Sequence, residues 1–459
     1  MRKQKFIKGI ICCLLILIAL FIWLSFTVFP AVSGYGAKNL ASAIYLQHRD
    51  EAVVLKEDLS DFPLSIGSFF VNDKDSSVTG SVWGLAKRKA IYRKGVGCTL
   101  VNDFSEASIR KQDFALPSKP IVNVDSIPWP YGDKLTETAP SNIDYQQLQK
   151  AVYSAMSETT LKGTPAFTRA VLVVYDGKII AEKYAPQFNQ HSVMLGWSVS
   201  KSLIGAMIGI LIKEKKLSID AAAPVAEWKG TKKQSISLKN LLQQTSGLDF
   251  LENYSRPSNV TRMLFSKGDM AAYTVSLPLK YQPGSVFNYS SGNTNILSKI
   301  IKQTVGERAY PAFPYNELFY KINAYSFLLE PDASGTYIGS SYSYATARDF
   351  ARFGLLYYNS GIWNGQQILP DNWVKQSTQP SLADKRKHYG YQFWLNGTDE
   401  KDSSKRWYPD VPADMFFCDG YGGQDIYIIP SKKLVVVRLG LHVIDENRFL
   451  KNIILSIKH

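Results

Sequence analysis

Cysteine and histidine are scarce in this chain, with 4 Cys and 5 His among 459 residues. So few cysteines exclude a small scaffold held together by disulfides, and neither a His-Glu-x-x-His motif nor a close Cys/His cluster is present to bind zinc. Cys12 and Cys13 lie in an apolar stretch. Cys98 and Cys418 lie far apart in the rest of the chain. The sequence is compatible both with a disulfide between them and with two buried thiols. We therefore expect no metal and no cofactor.

Large blocks of like charge are also missing. The formal charge is +14, from 53 Lys and Arg against 39 Asp and Glu, but the basic residues occur in short runs interleaved with acids. This pattern indicates a solvated surface and argues against nucleic acid as a partner. A hydrophobic content of 45% and an aromatic content of 13% exclude a disordered chain.

One long hydrophobic run is present, near the N-terminus. No charged residue occurs from Gly9 to Ala37, and Ile10 to Phe29 is almost wholly apolar, which is long enough for a single transmembrane helix. This length favours an uncleaved anchor, although a signal-peptide cleavage site within Ala31 to Ala37 stays open. Positive charge before a transmembrane helix favours a cytoplasmic N-terminus, so the rest of the chain is expected outside the cytoplasm. It would be periplasmic or external if the segment is an anchor, and secreted if the segment is cleaved. The basic residues before the run are Arg2, Lys3, Lys5 and Lys8.

Composition divides the chain into three parts. Residues 1–36 form the membrane anchor or signal segment, and residues 37–142 form an N-terminal extension with short β-type runs and a proline-rich linker. Residues 143–459 form a single large domain. No internal repeat is found, and the extension carries no motif that indicates a role.

Two hairpins at opposite ends of the large domain define its fold. β-Type residues flank an Asp-Gly turn in residues 169–184, and a second hairpin is predicted at 425–439, followed by a closing helix that Asp445 can cap. The expected fold class is α/β, with an antiparallel sheet flanked by helices, a helical lobe, and a cleft between sheet and lobe. The strong helical patterns between the hairpins lie at 202–216, 237–244, 293–305 and 345–358.

The most informative local pattern is Gly196-Trp-Ser198-Val-Ser-Lys201, at the start of an apolar helical run. Ser198 and Lys201 are three residues apart at a helix start, so they share a face. A serine hydroxyl is a poor nucleophile until a base takes its proton, and a buried lysine held partly as the neutral amine can be that base. The helix N-terminus adds positive potential where an oxyanion would form. Taken alone, the pattern is more often an N-cap serine with a lysine that faces solvent.

Two further segments are rich in glycine and small polar residues. Tyr281 to Asn293 places Tyr289 in a Gly/Ser/Asn-rich turn before a predicted helix, where a phenol can point into a cleft or pack in the structure. Phe417 to Gln424 leads into the late strand with three glycines. Such glycines either let the backbone approach a ligand closely or mark a bulge, and both interpretations stay open on these residues alone.

In this order, the three elements resemble those of the serine hydrolases related to class C β-lactamases and penicillin-binding proteins. That family has Ser-x-x-Lys, Tyr-x-Asn and Lys-Thr-Gly elements. Residues 236–248, which end in Thr-Ser-Gly-Leu, look like a helix of the family, while residues 341–354 and 361–365 resemble the branch that includes 6-aminohexanoate-dimer hydrolase. The likeness covers roughly residues 165 to 455 and implies a β-lactamase-like fold.

The resemblance implies a role for each matched residue. Ser198 would form the acyl-enzyme, and Lys201 and Tyr289 would share the general base and acid work. Ser291 stands where the Tyr-x-Asn element has its asparagine, so a shorter hydroxyl would contact the substrate. The backbone N–H groups of Ser198 and Tyr421 would bind the oxyanion.

The third element departs from the family pattern. Cys418-Asp419-Gly420 replaces Lys-Thr-Gly, so the cation that helps β-lactam-binding members hold a substrate carboxylate is missing, while Gly420 leaves the backbone open to a substrate. Asp419 would repel an anionic substrate if its side chain faced the site. A basic residue of the run from Lys385 to His388 could fill the same space, although this run is more typical of a solvated loop.

These residues predict a serine hydrolase, outside the cytoplasm, that cleaves an ester or amide bond in a small molecule or short peptide. Two alternatives remain, namely a non-catalytic, membrane-tethered module that binds peptidoglycan-type peptides, and a β-lactamase or D,D-peptidase proper. A Ser-His-Asp hydrolase is disfavoured, because Gly196-Trp-Ser198-Val-Ser200 lacks the second glycine of the nucleophile elbow. The sequence does not indicate the oligomeric state.

Overall fold

The computed structural model describes residues 2–135, 139–160 and 163–458. Its helices are α1 (Arg2–Thr27), α2 (Phe29–Tyr45), α3 (Glu51–Glu57), α4 (Glu106–Arg110), α5 (Tyr145–Ser157), α6 (Val199–Lys213), α7 (Leu238–Leu242), α8 (Asn259–Ser266), α9 (Met270–Ser276), α10 (Ser291–Val305), α11 (Ala347–Tyr358), α12 (Trp373–Ser377) and α13 (Glu446–Leu455). Its strands are β1 (Gly67–Asn72), β2 (Ser77–Val82), β3 (Leu85–Arg93), β4 (Gly97–Leu100), β5 (Ala170–Tyr175), β6 (Lys178–Tyr184), β7 (Met194–Leu195), β8 (Leu328–Leu329), β9 (Ser343–Ala345), β10 (Ile362–Trp363), β11 (Gln366–Gln367), β12 (Trp394–Leu395), β13 (Phe416–Gly420), β14 (Gln424–Ile429) and β15 (Leu434–Leu439).

The chain divides into two compact units. The first unit comprises Met1–Gln112, Phe250–Tyr273 and Pro331–Gly335. The second comprises Asp113–Asp249, Thr274–Glu330 and Thr336–His459. Two segments from the later half of the sequence therefore belong to the same unit as the N-terminal residues. The domain limits placed at residues 36 and 142 from the sequence remain predictions.

The first unit begins with two successive helices of different character. The apolar side chains of α1 are exposed, as for Phe26 at 78%, and this helix has the length and hydropathy of a membrane span. Only Val28 separates α1 from α2. Many side chains of α2 are buried, such as that of Phe29, which is 2% exposed. The long apolar helix predicted at the N-terminus is therefore present as a candidate transmembrane span.

Helix α2 packs on the four-stranded antiparallel sheet of the first unit, whose strand order is β1-β2-β3-β4. Two glycines allow the close approach. A Cβ atom at Gly36 would lie 1.9 Å from the ring of Phe69, and one at Gly34 would lie 2.7 Å from the carbonyl oxygen of Phe265 in α8. Residues 31–37, where the sequence leaves signal-peptide cleavage possible, thus lie inside a helix that contributes to the core of this unit.

A six-stranded antiparallel sheet forms the centre of the second unit, with the strand order β12-β13-β14-β15-β5-β6. The two predicted hairpins are present, because β5 pairs with β6 and β14 pairs with β15. They join edge to edge through β15 and β5, from Leu434 opposite Tyr175 to Leu439 opposite Ala170. Strands from both ends of the predicted large domain therefore form one sheet, as expected.

Helices cover both faces of this sheet. On one face, α6 and α11 pack on Leu172, Ile426 and Val437 in the larger hydrophobic core. On the other face, α5 and α13 pack on residues such as Val173 and Tyr427 in a second core. The predicted α/β fold class, an antiparallel sheet flanked by helices, is confirmed.

Helices are the main regular elements of the second unit between β7 and β13. The four helices predicted there correspond to α6, α7, α10 and α11, with ends that differ from the prediction by three residues or fewer. Two small sheets lie among them, a three-stranded one with the order β7-β9-β8 and the hairpin β10-β11. Helix α6 is buried along almost its whole length, so it can hold side chains in a fixed position against the sheet.

All four cysteines lie in the described part of the chain, and none forms a disulfide. Cys98 in β4 and Cys418 in β13 are buried thiols. The pairing that the sequence left open is therefore absent, and two buried thiols are the correct alternative.

Candidate active site

Ser198 and Lys201 lie at the first turn of α6, as their spacing predicts. Ser198 directly precedes the helix and is partly exposed, whereas Lys201 is only 1% exposed. The Lys201 Nζ donates to Ser198 Oγ at 2.8 Å, and it also donates to Ser291 Oγ at 3.0 Å and to the Ser340 carbonyl oxygen at 2.9 Å. A buried amine in contact with an accessible hydroxyl is the geometry that proton removal from a serine requires.

The backbone before Ser198 is held in an unusual conformation. Trp197 has a φ of +45°, in the left-handed region that disfavours a bulky residue. Ser200 Oγ donates to the Trp197 carbonyl oxygen at 2.6 Å and accepts the Ser343 N–H at 2.9 Å. A buried serine of α6 thereby ties this segment to β9 and fixes the turn that presents Ser198.

Tyr289 and Ser291 reach the same amine from the start of α10. The Lys201 Nζ lies over the Tyr289 ring, 4.9 Å from its centroid, and Ser291 Oγ also contacts this amine. Gln244 holds this segment, because its Oε1 accepts from Asn293 Nδ2 at 2.8 Å and its carbonyl oxygen accepts from the Asn288 N–H at 2.8 Å. The end of α7 therefore sets the position of the tyrosine.

Gly420 brings the end of β13 against the segment that precedes Ser198. A Cβ atom at Gly420 would lie 2.3 Å from the carbonyl oxygen of Gly196, so any other residue would push these two backbones apart. Tyr421 comes next, and its ring packs edge-on against Trp197 with the centroids 5.7 Å apart. The six residues singled out from the sequence thus lie in one site, and their roles remain predictions: Ser198, Lys201, Tyr289, Ser291, Gly420 and Tyr421.

Cys418 and Asp419 point to opposite faces of the sheet. Cys418 belongs to the larger core with α6, and burial raises the pKa of its thiol, so a neutral group stands where the resemblance leads one to look for a cation. Asp419 lies opposite Asp425 in the β13–β14 pair, and strand alternation directs it to the face that α5 and α13 cover. Burial raises the pKa of Asp419 to about 7, Glu446 adds to the rise and Lys201 opposes it. Asp419 would repel an anionic substrate only if its side chain faced the site. The strand alternation directs it to the other side of the sheet, so this condition is not met.

An aromatic wall extends from Tyr289. Its ring stacks on Trp394 with the centroids 5.0 Å apart, and Trp394 lies against His388 at 5.3 Å. His388 is buried, and its Nδ1 lies 2.7 Å from the carboxylate of Asp384. The interpretation of residues 385–388 as a solvated loop is therefore wrong for His388, although Lys385 is exposed.

Sequence reasoning missed several residues that hold this site. Ser340 contributes its backbone carbonyl, for which residue type gives no signal. Gln244 lies in the segment quoted for the family resemblance, but nothing in that segment indicated that its side chain would brace Tyr289. Ser200 lies within the Ser-x-x-Lys pattern, and its burial beside Trp197 depends on β9, which is distant in sequence.

Comparison with known proteins decides the family. The sequence profile of the beta-lactamase family matches residues 164–440, which is more than half of the chain. The chain belongs to the beta-lactamase family. The resemblance recognised from the Ser-x-x-Lys, tyrosine and glycine-rich elements is therefore confirmed.

Relatives within the beta-lactamase family are hydrolases and penicillin-binding proteins. The 6-aminohexanoate-dimer hydrolase of Paenarthrobacter ureafaciens is 25% identical over 364 residues, covering 72% of this chain and 81% of the relative. A family VIII carboxylesterase structure is 12% identical and covers 71% of this chain and 99% of its own, with a TM-score of 0.53. A penicillin-binding protein homologue from Caulobacter crescentus is 14% identical and covers 70% and 98%, with a TM-score of 0.52. The chain thus shares the fold of these members of the beta-lactamase family.

Proposed function

We propose that this chain is a membrane-anchored serine hydrolase that cleaves an ester or amide bond through an acyl-enzyme on Ser198. The observation that carries the proposal is the 2.8 Å contact between the buried Lys201 amine and the partly exposed Ser198 hydroxyl. Burying an amine costs free energy, so its position directly behind an accessible hydroxyl favours a catalytic pair over a helix cap.

The reaction has two halves. In the first, Ser198 Oγ attacks the substrate carbonyl carbon, Lys201 takes the hydroxyl proton, and the bond to the leaving alcohol or amine breaks as that group is protonated. We assign Tyr289 as the second proton carrier from the family resemblance, and its ring lies beside the Lys201 Nζ, with the centroid 4.9 Å away. In the second half, water attacks the acyl carbon, gives its proton to the same pair and releases the acid, and Ser198 regains its proton.

Charge on the carbonyl oxygen is stabilised by backbone donors. The Ser198 N–H lies at the N-terminus of the 15-residue helix α6, where the helix dipole is positive. The Tyr421 N–H follows Gly420, which holds its strand against Gly196. Two such donors make the oxyanion hole of this proposal, and loss of one oxyanion donor in a serine hydrolase costs about 10²–10³ in rate.

Neutral esters and amides of small molecules or short peptides are the substrates that we assign to the site. Cys418 supplies a buried thiol in place of the cation that grips a carboxylate. His388 is paired with Asp384 and is therefore engaged elsewhere. We expect weak or no hydrolysis of a chromogenic cephalosporin, and a kcat/KM in the range of about 10⁴–10⁸ M⁻¹s⁻¹ would instead establish a β-lactamase.

The N-terminal helix is proposed to be an uncleaved anchor, with the catalytic residues outside the cytoplasm. Cleavage within Ala31 to Ala37 would remove part of α2, in which Val32, Ser33 and Ala37 are buried. Full-length protein should stay with membranes after carbonate washing, and its intact mass should retain the first residues. Release of a shortened soluble species would refute the anchor without affecting the hydrolase assignment.

Substitution of the catalytic pair tests the hydrolase assignment. Ser198→Ala should abolish turnover of p-nitrophenyl esters and labelling by a fluorophosphonate, and Lys201→Ala should cost nearly as much, because residues that act as one proton-transfer unit are not additive. Exposed residues supply matched controls, namely Ser285→Ala and Lys229→Ala. Near-full esterase activity in Lys201→Ala would show that the pair is structural, and no labelling of the wild type would favour a non-catalytic binding module.

A further inference from the structure

A cavity of about 490 Å³ lies in the first unit, beside the end of the candidate transmembrane helix. Phe26 and Thr27 of α1 and Ala31 of α2 line one side of it. The opposite side comes from α8 and the residues that precede it, among them Asn259. The volume is in the range of small-molecule sites, and these lining residues are far from Ser198 in sequence and belong to a different unit.

Three cations line this cavity, namely Arg88, Arg262 and Lys267, and none of its described lining residues is acidic. Within the described ranges, none of the three belongs to a salt bridge. The Arg88 Nε is buried and has no hydrogen-bond acceptor among the described groups. The charge of Asp103 acts on Arg88, but this carboxylate does not line the cavity, and its Oδ2 accepts the Gly268 N–H at 2.9 Å. The cavity therefore presents three cations and no carboxylate among its described lining residues.

If α1 is the proposed anchor, the cavity lies where this helix leaves the bilayer. Phe26 is 78% exposed and Phe29 is 2% exposed, so the change from exposed to buried side chains falls between them. Trp83, in the turn between β2 and β3, is exposed and stacks on Phe21 of α1 with the centroids 6.3 Å apart. Tryptophan concentrates at membrane interfaces, so its position marks the same boundary.

We propose that this cavity binds the phosphate-bearing headgroup of an anionic phospholipid of the outer membrane leaflet. Arg88, Arg262 and Lys267 would hold the phosphate oxygens, and the acyl chains would lie along the exposed apolar surface of α1 that ends at Phe26. Cations without a salt bridge beside exposed apolar side chains fit an amphiphile better than a water-soluble anion. The inference rests on the uncleaved anchor proposed above and is independent of the chemistry at Ser198.

Lipid titration of the full-length protein, purified in a non-ionic, phosphate-free detergent, tests this inference. The probes are a short-chain phosphatidylglycerol, the matching diacylglycerol without phosphate, and inorganic phosphate alone. We expect saturable binding of one phosphatidylglycerol, no saturable binding of diacylglycerol and much weaker binding of phosphate. A basic residue contributes a factor of about five at an anionic membrane surface, so the triple variant R88Q/R262Q/K267Q should bind phosphatidylglycerol on the order of 100-fold more weakly.

Two further variants keep the outcome clear. K56Q/K74Q/K94Q removes the same charge from exposed lysines of the first unit and should bind as wild type does. Ala31→Phe fills the cavity without a change of charge and should also abolish binding, which covers the case in which the triple variant does not fold.

The other outcomes overturn the inference. Equal weakening by the two triple variants would indicate general surface charge, and phosphate binding as tight as that of the lipid would indicate a soluble anion. Unchanged binding in both R88Q/R262Q/K267Q and Ala31→Phe would show that the cavity is not the site. Esterase activity and intact mass, measured on the same samples, report separately on the hydrolase and anchor proposals.

Discussion

Replacement of Gly420 by alanine should damage catalysis without touching any side chain of the proposed proton-transfer pair. The new Cβ would lie 2.3 Å from the Gly196 carbonyl oxygen, whereas ordinary contacts begin near 3.4 Å, so the two backbones must separate by about 1 Å. The nearest obstacle is backbone and cannot rotate away. The Tyr421 N–H would move with the strand, and a 1 Å misplacement in an active site costs about 100-fold in rate.

The assay is kcat for a p-nitrophenyl ester, together with thermal unfolding to verify that the variant folds. Overpacking by one methyl group costs about 1–3 kcal/mol, so Gly420→Ala should still be folded at 25 °C. Tyr421→Ala is the matched control, because it removes the ring but keeps the backbone N–H, and it should retain most of kcat. A folded Gly420→Ala enzyme with wild-type kcat would refute the assignment of this strand end to the oxyanion site.

Three further variants test neighbouring parts of the site. Tyr289→Phe should lower kcat by about 10²–10⁴ with little change in stability, and an unchanged kcat would show that the ring only packs on Lys201. Ser200→Ala should lower the unfolding free energy by about 1–3 kcal/mol and also lower kcat, because the Trp197 carbonyl oxygen loses its hydrogen bond to Ser200. Stability equal to wild type would contradict this. Burial raises the pKa of the folded Asp419 to about 7 from 3.8, so wild-type stability falls as pH rises through this window. Relative to wild type, Asp419→Asn should therefore become progressively more stable from pH 4 to pH 7, and a difference in Tm that does not widen would argue against a raised pKa of the Asp419 carboxyl.

Elements with a strong local pattern were predictable. The Asp-Gly turn and the alternating strands around it fixed β5 and β6, and the runs of Val and Ile near the end of the chain fixed β14 and β15. The sequence also predicted that strands from both ends of the domain form one sheet, whereas their joining through β15 and β5 is known only from the structure. The Ser-x-x-Lys spacing similarly placed both side chains on one turn, because helix geometry alone determines that relation.

Features that depend on distant contacts were not predictable. The direction of Asp419 depends on the register of β13 with β14, which a sequence pattern of Cys, Asp and Gly does not reveal. His388 was placed in a solvated loop because of its basic neighbours, but Asp384 and the aromatic wall bury it. The grouping of residues 250–273 with the N-terminal residues likewise rests on contacts such as that between Gly34 and Phe265, and no local signal announces it.

The direct passage of α1 into α2 determines how the protein can be prepared. Helix α2 has 17 residues, so about 25 Å of helix leads from the end of the candidate transmembrane helix through the core of the first unit. Truncation at residue 38, a natural choice from the hydropathy profile, would delete the buried Phe29 and Val32 and uncover the sheet on which they pack. Such a fragment is expected to aggregate, whereas extraction of the full chain with detergent keeps the first unit intact.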